Sequence, residues 1–507
     1  MKTRPQVLTV LAAAMASAFV CHTANATVLP TSQTQSSWFT AGADAVAAKV
    51  AEVRNTGTAK NIIFFVGDGM GVSTLTAARI YQGQMAGHTG EENRLSFESF
   101  PYSALSKTYS VNQQTPDSAP TMTAMITGVK TEDGMLSVSS DSIRGNCLSS
   151  KGNELKTALE LAEDLGKSTG VISTARITHA TPAATYAHTP ERDWEADTNL
   201  TKEAVANGCH DIAYQLVMDA PGDGLEVALG GGRSYFLPNT VTDGEGAKGR
   251  RADGNDLTAA WSEKFSNAVY VWNKEAFDAV DTSTTDHLLG LFEASHMQYE
   301  ADRADDVAGE PSLAEMTSKA IDILAKNDKG YFLMVEGGRI DHAHHAGNAA
   351  RALEDTVALS DAVQAAMDKV DLQNTLIIVS ADHSHTFTIA GYPARGNPIL
   401  GLVHEPNDET ISTAPSLAAD GLPYTTLGYA NGPGAKQGAR EDLTAVDTTD
   451  VEFMQQAQVP LSSETHAAED VAIYATGPGA WLFQGNVEQN VIFHVMNQAG
   501  ALGGSKY

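Results

Sequence analysis

Residues Tyr331 to His345 read YFLMVEGGRIDHAHH. Five apolar or aromatic side chains in a row, Tyr331 to Val335, form the pattern of a short buried strand. The run stops at Glu336, and two glycines turn the chain into a segment carrying Asp341, His342, His344 and His345. A buried strand that delivers a carboxylate to its tip, followed closely by an aspartate and three histidines, suggests a metal site. Open α/β sheets bind ligands beyond the carboxyl ends of their strands. A strand followed by a polar helix cap is the plainer alternative for this stretch alone.

The same arrangement recurs on either side. Asn61 to Val66 is a near-continuous apolar run that breaks at Gly67-Asp68-Gly69-Met70-Gly71, where glycines would let the backbone approach a ligand. Gly170 to Thr174 leads into Arg176-Ile177-Thr178-His179-Ala180-Thr181-Pro182, and Leu225 to Leu229 into Gly230-Gly231-Gly232-Arg233. Thr375 to Val379 ends at Ser380-Ala381-Asp382-His383-Ser384-His385. Helical periodicity marks Glu154–Leu165, a stretch around Leu313–Leu324, and then Asn348–Val370. Before Thr121–Thr127, Ser118 stands where an N-cap would stand, with Pro120 tolerated in the first turn. A serine there faces the positive end of a helix, a suitable place for an anion or an ionised oxygen. The alternation of strands and helices predicts an α/β fold, a three-layer sandwich around a largely parallel central sheet. Residues 384–465, rich in glycine and proline, break the pattern and read as an inserted irregular or small β subdomain, after which Asp470–Tyr474 forms a final strand.

At 507 residues, with 42% hydrophobic and 19% charged side chains, the chain has the composition of a folded globular protein with a large core. A net charge of −29 argues against a nucleic-acid-binding surface and against attraction to anionic membranes. Residues 1–26 read as a signal peptide: Lys2 and Arg4, the apolar run Val7–Val20, then Ala24-Asn25-Ala26 as a cleavage signal. No later stretch has the ~20 apolar residues of a membrane anchor. The mature chain, 27–507, is therefore expected to be periplasmic or secreted, beginning with a loose leader to about Phe39 and a helical stretch. Cys147 and Cys209 remain; in an oxidising compartment a lone pair reads as one disulfide, two free buried thiols being the alternative.

Acids and histidines thus recur at one topological place: Asp68, then His179 and Thr181, then Glu336, Asp341 and His345, then Asp382 and His383. Oxygen and imidazole together suit Zn²⁺, and an all-oxygen subset suits Mg²⁺. The motifs VGDGMG, PDSAPTMTAMITGVKT, THATPAATYAHTPER, VEGGRIDHAHH, SADHSH and ETHAAEDVAIYATGPGA resemble those of the alkaline phosphatases, most closely the animal tissue enzymes, from about Asn61 to Asn497. That resemblance implies one zinc on Asp341, His345 and His466. A second falls on Asp68, Asp382 and His383 with the Ser118 oxygen, and a magnesium on Asp68, Thr181 and Glu336. It makes Ser118 the nucleophile toward phosphate monoesters and Arg192 the residue that grips phosphate, with His179 and His342 supporting the magnesium side. It also implies a Cys147–Cys209 disulfide, a homodimer capped by a crown-like 384–465 segment, and a calcium-like site mapping to Glu245, Glu293 and Glu310 near Phe292. At that last site Glu310 replaces the family's aspartate, and solvated surface acids are the competing reading.

Two rival readings remain. A sulfatase would need an arginine where Met122 follows Ser118-Ala119-Pro120-Thr121, which this chain lacks. A zinc-storage protein would need clustered ligands but neither a nucleophile nor a phosphate clamp.

Overall fold

The run Asn61–Gly67 forms a strand, β1, and its alternating side chains part into two layers. Ile62, Phe64 and Val66 enter one core; Ile63 and Phe65 enter the other, on the opposite face of the sheet. A strand hydrophobic on both faces must be covered on both faces, and helices do this. On the first face lie Ser118–Thr127 and Val491–Gly500; on the second lie Val72–Met85, Leu313–Leu324 and Ala349–Lys369. The computed structural model describes residues 29–408 and 410–503. The expected signal peptide, 1–26, lies outside the described residues.

The central sheet has ten strands. After β1 come β2 (Tyr102–Lys107), β3 (Ser168–Arg176), β4 (Val227–Gly231), β5 (Ala268–Val271), β6 (His287–Leu291), β7 (Tyr331–Gly337), β8 (Thr375–Ala381), β9 (Val471–Thr476) and β10 (Asn486–Glu488). Their spatial order is β10-β2-β9-β8-β1-β7-β3-β4-β6-β5, and β9 alone runs against its neighbours. The largely parallel three-layer sandwich is therefore what forms, with one reversed strand. Val66 lies opposite Glu336 of β7 and Ser380 of β8, and Glu336 lies opposite Ser173 of β3. Four adjacent strands thus end together, and their carboxyl ends release Asp68, Asp382, Glu336 and the Arg176–Thr181 loop on one rim.

Several expected boundaries move. The helix expected over Glu154–Leu165 begins at Ala158, because Thr157 and Glu160 exchange bonds in a capping box while Leu155 N–H is already spent on Ser137. Asp470–Tyr474 gives β9, but β10 follows it, so it is not the final strand. The expected leader to about Phe39 holds a short helix, Thr31–Thr34, and the helical stretch expected after it forms as Ser37–Ala51; together they make a compact unit with mostly exposed side chains. Among the described residues no helix is long and apolar enough to cross a membrane.

The segment after β8 contains a small sheet of Phe387–Ile389, Leu427–Gly432 and Ala457–Pro460, and a short hairpin of Pro406–Asn407 with Thr410–Ile411. Phe387, Leu427 and Tyr429 join the second core, so this segment is rooted in the main body. Cys147 and Cys209 form a disulfide whose sulfurs pack beside buried Trp194. It closes a separation of 62 residues. Replacing both cysteines by serine should lower unfolding free energy by about 4 kcal/mol on loop-closure grounds. Denaturant titration of oxidised wild type against the double variant checks this, and equal midpoints would contradict it.

Candidate metal and nucleophile site

Ser118 opens the helix Ser118–Thr127, and all ten of that helix's residues are buried. The N-cap position belongs to Asp117 rather than Ser118, correcting the expectation from sequence, and the Asp117 side chain makes no cap bond. Its carboxylate instead accepts from Gly134 N–H (3.1 Å) and from Arg192 Nη1 (2.7 Å). Freed from capping, Ser118 Oγ points at the strand rim, 3.1 Å from His383 Nε2 and 3.4 Å from Asp68 Oδ1.

His383 Nε2 stands 3.3 Å from Asp68 and 3.2 Å from Asp382 Oδ2, and all three side chains are fully buried. The other Asp382 oxygen accepts from Gly69 N–H and from its own neighbour His383 N–H, which fixes the carboxylate plane. Asp68 Oδ2 lies 3.5 Å from Thr181 Oγ1. Glu336 accepts a short bond from the Ser173 hydroxyl, while its Oε1 and His383 Nδ1 are buried with no partner among the described residues. Burial first, and then mutual repulsion, drive the Asp68 and Asp382 carboxyls above their usual range and raise Glu336 to about 7. A pocket that penalises its own negative charge in this way is built for cations.

A second cluster centres on Asp341 Oδ1. His345 Nε2 (3.4 Å), His466 Nε2 (3.2 Å) and His385 Nε2 (2.8 Å) all reach it, and the first two nitrogens are 3.1 Å apart. His345 Nδ1 lies 2.6 Å from the Glu464 carbonyl, and His466 Nδ1 2.8 Å from the Pro116 carbonyl. A carbonyl can only accept, so each ring carries its proton on Nδ1 and turns a bare Nε2 lone pair inward. Two such lone pairs beside a carboxylate make a donor set that could hold a metal ion such as zinc, with outer partners setting the tautomer. His385 differs: its Nδ1 meets Glu464 Oε2 at 2.6 Å and its Nε2 meets Asp341. Burial opposes its charge, but the two carboxylates prevail and raise it to about 9. With both nitrogens donating, His385 supports Asp341 and has no lone pair to offer.

The structure therefore brings Asp68, Thr181, Asp382, His383, Ser118, Asp341, His345 and His466 onto one rim, and Glu336 stands beside Asp68 and Thr181. His179 and His342 stack edge-on with a third imidazole, His296, that sequence reasoning passed over. Arg192, Arg176 and Arg339 face these three rings, and burial together with the guanidinium charges pushes all three imidazoles below their ordinary range. A cation among them would meet three positive neighbours. His296 follows the end of β6, so reading that strand in the sequence would have exposed it. His344 is buried, bonded to Thr74 and Tyr429, and knits its helix to the inserted sheet.

Glu245 and Glu293 converge with Asp306 rather than with Glu310. Glu310 is buried behind them, accepts from Gln298 N–H, and is raised to about 9 by burial and then by Glu293. Arg233 is bonded to Glu245, to Asp243 and to the Phe292 carbonyl.

Comparison with known proteins gives concordant matches. The family model described as alkaline phosphatase matches residues 59–502. The tissue-nonspecific alkaline phosphatase of Rattus norvegicus is 47% identical over 459 residues, covering 89% of this chain and 85% of its own. The alkaline phosphatase of Gadus morhua is 44% identical over 458 residues, covering 89% of this chain and 93% of its own. Among solved structures, alkaline phosphatase from Thermus thermophilus superposes with a TM-score of 0.63 at 26% identity, covering 94% of this chain and 96% of that one.

The pocket's electrostatics predict how metal and acid compete. Bound cations require ionised Asp68, Glu336 and Asp382, each of which holds a proton more tightly than usual without them. Zinc added to chelator-treated protein should raise the melting temperature, and the rise should shrink as pH falls from 8 to 6. Calorimetry across that range tests it; a shift that grows on acidification would contradict it.

Proposed function

The chain belongs to the alkaline phosphatase family, and from that premise we propose that it hydrolyses phosphate monoesters through a phosphoseryl intermediate on Ser118. In this reading Asp341, His345 and His466 hold one zinc, and Asp68, Asp382 and His383 hold a second beside Ser118. Asp68, Thr181 and Glu336 hold a magnesium. When bound, these ions supply Lewis acidity for the leaving oxygen, lower the pKa of water, and offset the negative rim. The observation that carries the reading is the convergence of Ser118 Oγ on His383 and Asp68, next to two inward imidazole lone pairs on Asp341.

Ser118 Oγ attacks phosphorus, so that an Oγ–P bond forms as the ester P–O bond breaks and the alcohol departs. Water then cleaves the Oγ–P bond, releasing phosphate and restoring the hydroxyl. The amino end of the Ser118–Thr127 helix eases negative charge on Oγ. Arg192, aimed by Asp117, has the planar fork that grips two phosphate oxygens. His179, 3.1 Å from Arg192 Nη2, buttresses that guanidinium, and His342 packs against His179. A homodimer with the 384–465 segment as a crown, and export directed by residues 1–26, complete the proposal.

Ser118→Ala should lower kcat on p-nitrophenyl phosphate by at least about a thousandfold and abolish the trapped phosphoenzyme, with zinc content unchanged. Retained turnover would remove Ser118 from the mechanism. Arg192→Ala should weaken inhibition by inorganic phosphate roughly 10–100-fold while the metals stay. Preference for p-nitrophenyl sulfate or a bis-ester over the monoester would favour a sulfatase or a phosphodiesterase instead.

A further inference from the structure

Glu464 lies two residues before His466 and is 1% exposed. Its contacts exceed what a buried acid needs for its own satisfaction. Oε2 accepts from His385 Nδ1 at 2.6 Å; Oε1 accepts from Thr386 N–H and from Thr386 Oγ1, each at 2.7 Å. Its carbonyl takes the His345 Nδ1 proton at 2.6 Å, and its own N–H donates to the His345 carbonyl at 2.9 Å. Among the described residues no lysine or arginine pairs with it; its ion-pair partners are His385 and, at 3.9 Å, His345. Gly432, at φ +135°, leaves space beside it: a Cβ there would sit 3.0 Å from the Glu464 Cβ.

Three of the elements that meet at Asp341 are therefore tied to one residue. The helix Arg339–His345 is held through the Glu464 N–H bond to the His345 carbonyl and the His345 Nδ1 bond to the Glu464 carbonyl, and the latter sets the His345 tautomer. Asp341 is held through His385. His466 is held through the pairing of His466–Ala467 with Ser384–His385, whose register the Glu464 side chain locks from the far side. The other cluster, on Asp68, Asp382 and His383, makes no hydrogen bond or ion pair to Glu464 among the described residues. We infer that Glu464 is a positioning residue for the Asp341–His345–His466 metal site, acting on that site and not on its neighbour. The inference rests on the proposed reading that these three side chains hold zinc.

Chemistry dictates a specific variant. In Glu464→Gln the amide oxygen can serve His385 or Thr386 but not both; facing Thr386, it sets the NH₂ against His385 Nδ1, so the carboxylate bond that fixes that ring becomes a weaker, neutral one. Shape is kept while one buried charged contact is lost. The expected result is zinc binding weakened by roughly 10–100-fold at one site of two, as loss of an outer partner typically causes. After dialysis against a mild chelator the variant should hold one zinc where wild type holds two, and excess zinc should restore both content and turnover with KM unchanged. Thr386→Val, which removes only the hydroxyl contact, should keep both. Should Glu464→Gln fail to fold by circular dichroism, Glu464→Asp carries the same test, keeping the charge but lacking one methylene of reach.

A foldable variant that retains both zinc ions at wild-type affinity overturns the inference, as does equal weakening at both sites. Wild-type protein that binds no zinc would instead overturn the underlying reading, so the two failures are distinguishable.

Discussion

Four strands that end in register place buried acids on one rim, and these acids repel. Val66, Glu336 and Ser380 lie side by side across β1, β7 and β8, so Asp68, Glu336 and Asp382 must emerge close together. Ionised and unaccompanied, they would cost more than the sheet gains by releasing them together. The raised carboxyl pKa values of this rim reflect that conflict, which bound cations would relieve. Much else in the chain follows from keeping those acids aligned: the hydrophobic layers on both faces of β1, the glycines that follow it, and the backbone donors spent on Asp382.

Ser118 obeys the same logic from the opposite side. A serine that capped its helix would have its oxygen occupied by backbone N–H groups. Asp117 takes the cap position and spends its carboxylate on Gly134 and Arg192, leaving the Ser118 oxygen free to face the acids. One exchange of role between adjacent residues thus arranges both the Ser118 oxygen and the Arg192 guanidinium.

Legibility in the sequence followed the range of the interaction. β1, β7 and β8 were readable because a strand buried on both faces leaves an unbroken apolar run. The helix around Leu313–Leu324 was readable from its periodicity, and in the structure a capping box of Ser312 and Glu315 fixes its start. β2 escaped because it alternates partly exposed and buried residues near the sheet margin, and β5 because it has only four residues. Asp68, Asp382 and His383 announce themselves at strand tips. Glu464 and His385 do not, because their meaning lies in a contact spanning 79 residues, and a lone glutamate in a glycine-rich stretch carries no local mark. The placement of Asp306 in the Glu245–Glu293 group is of the same kind.

The two-residue pairing of Ser384–His385 with His466–Ala467 has one more consequence. Both ends of the intervening segment are clamped at its root, so strain or length within it is absorbed before it reaches the metal rim. Closing a longer loop costs only a logarithmic penalty. Away from Thr386, Tyr429 and Glu464, the segment is in effect a replaceable cassette: its outer surface can be rewritten or lengthened during evolution or by design, while the chemistry beneath keeps its alignment.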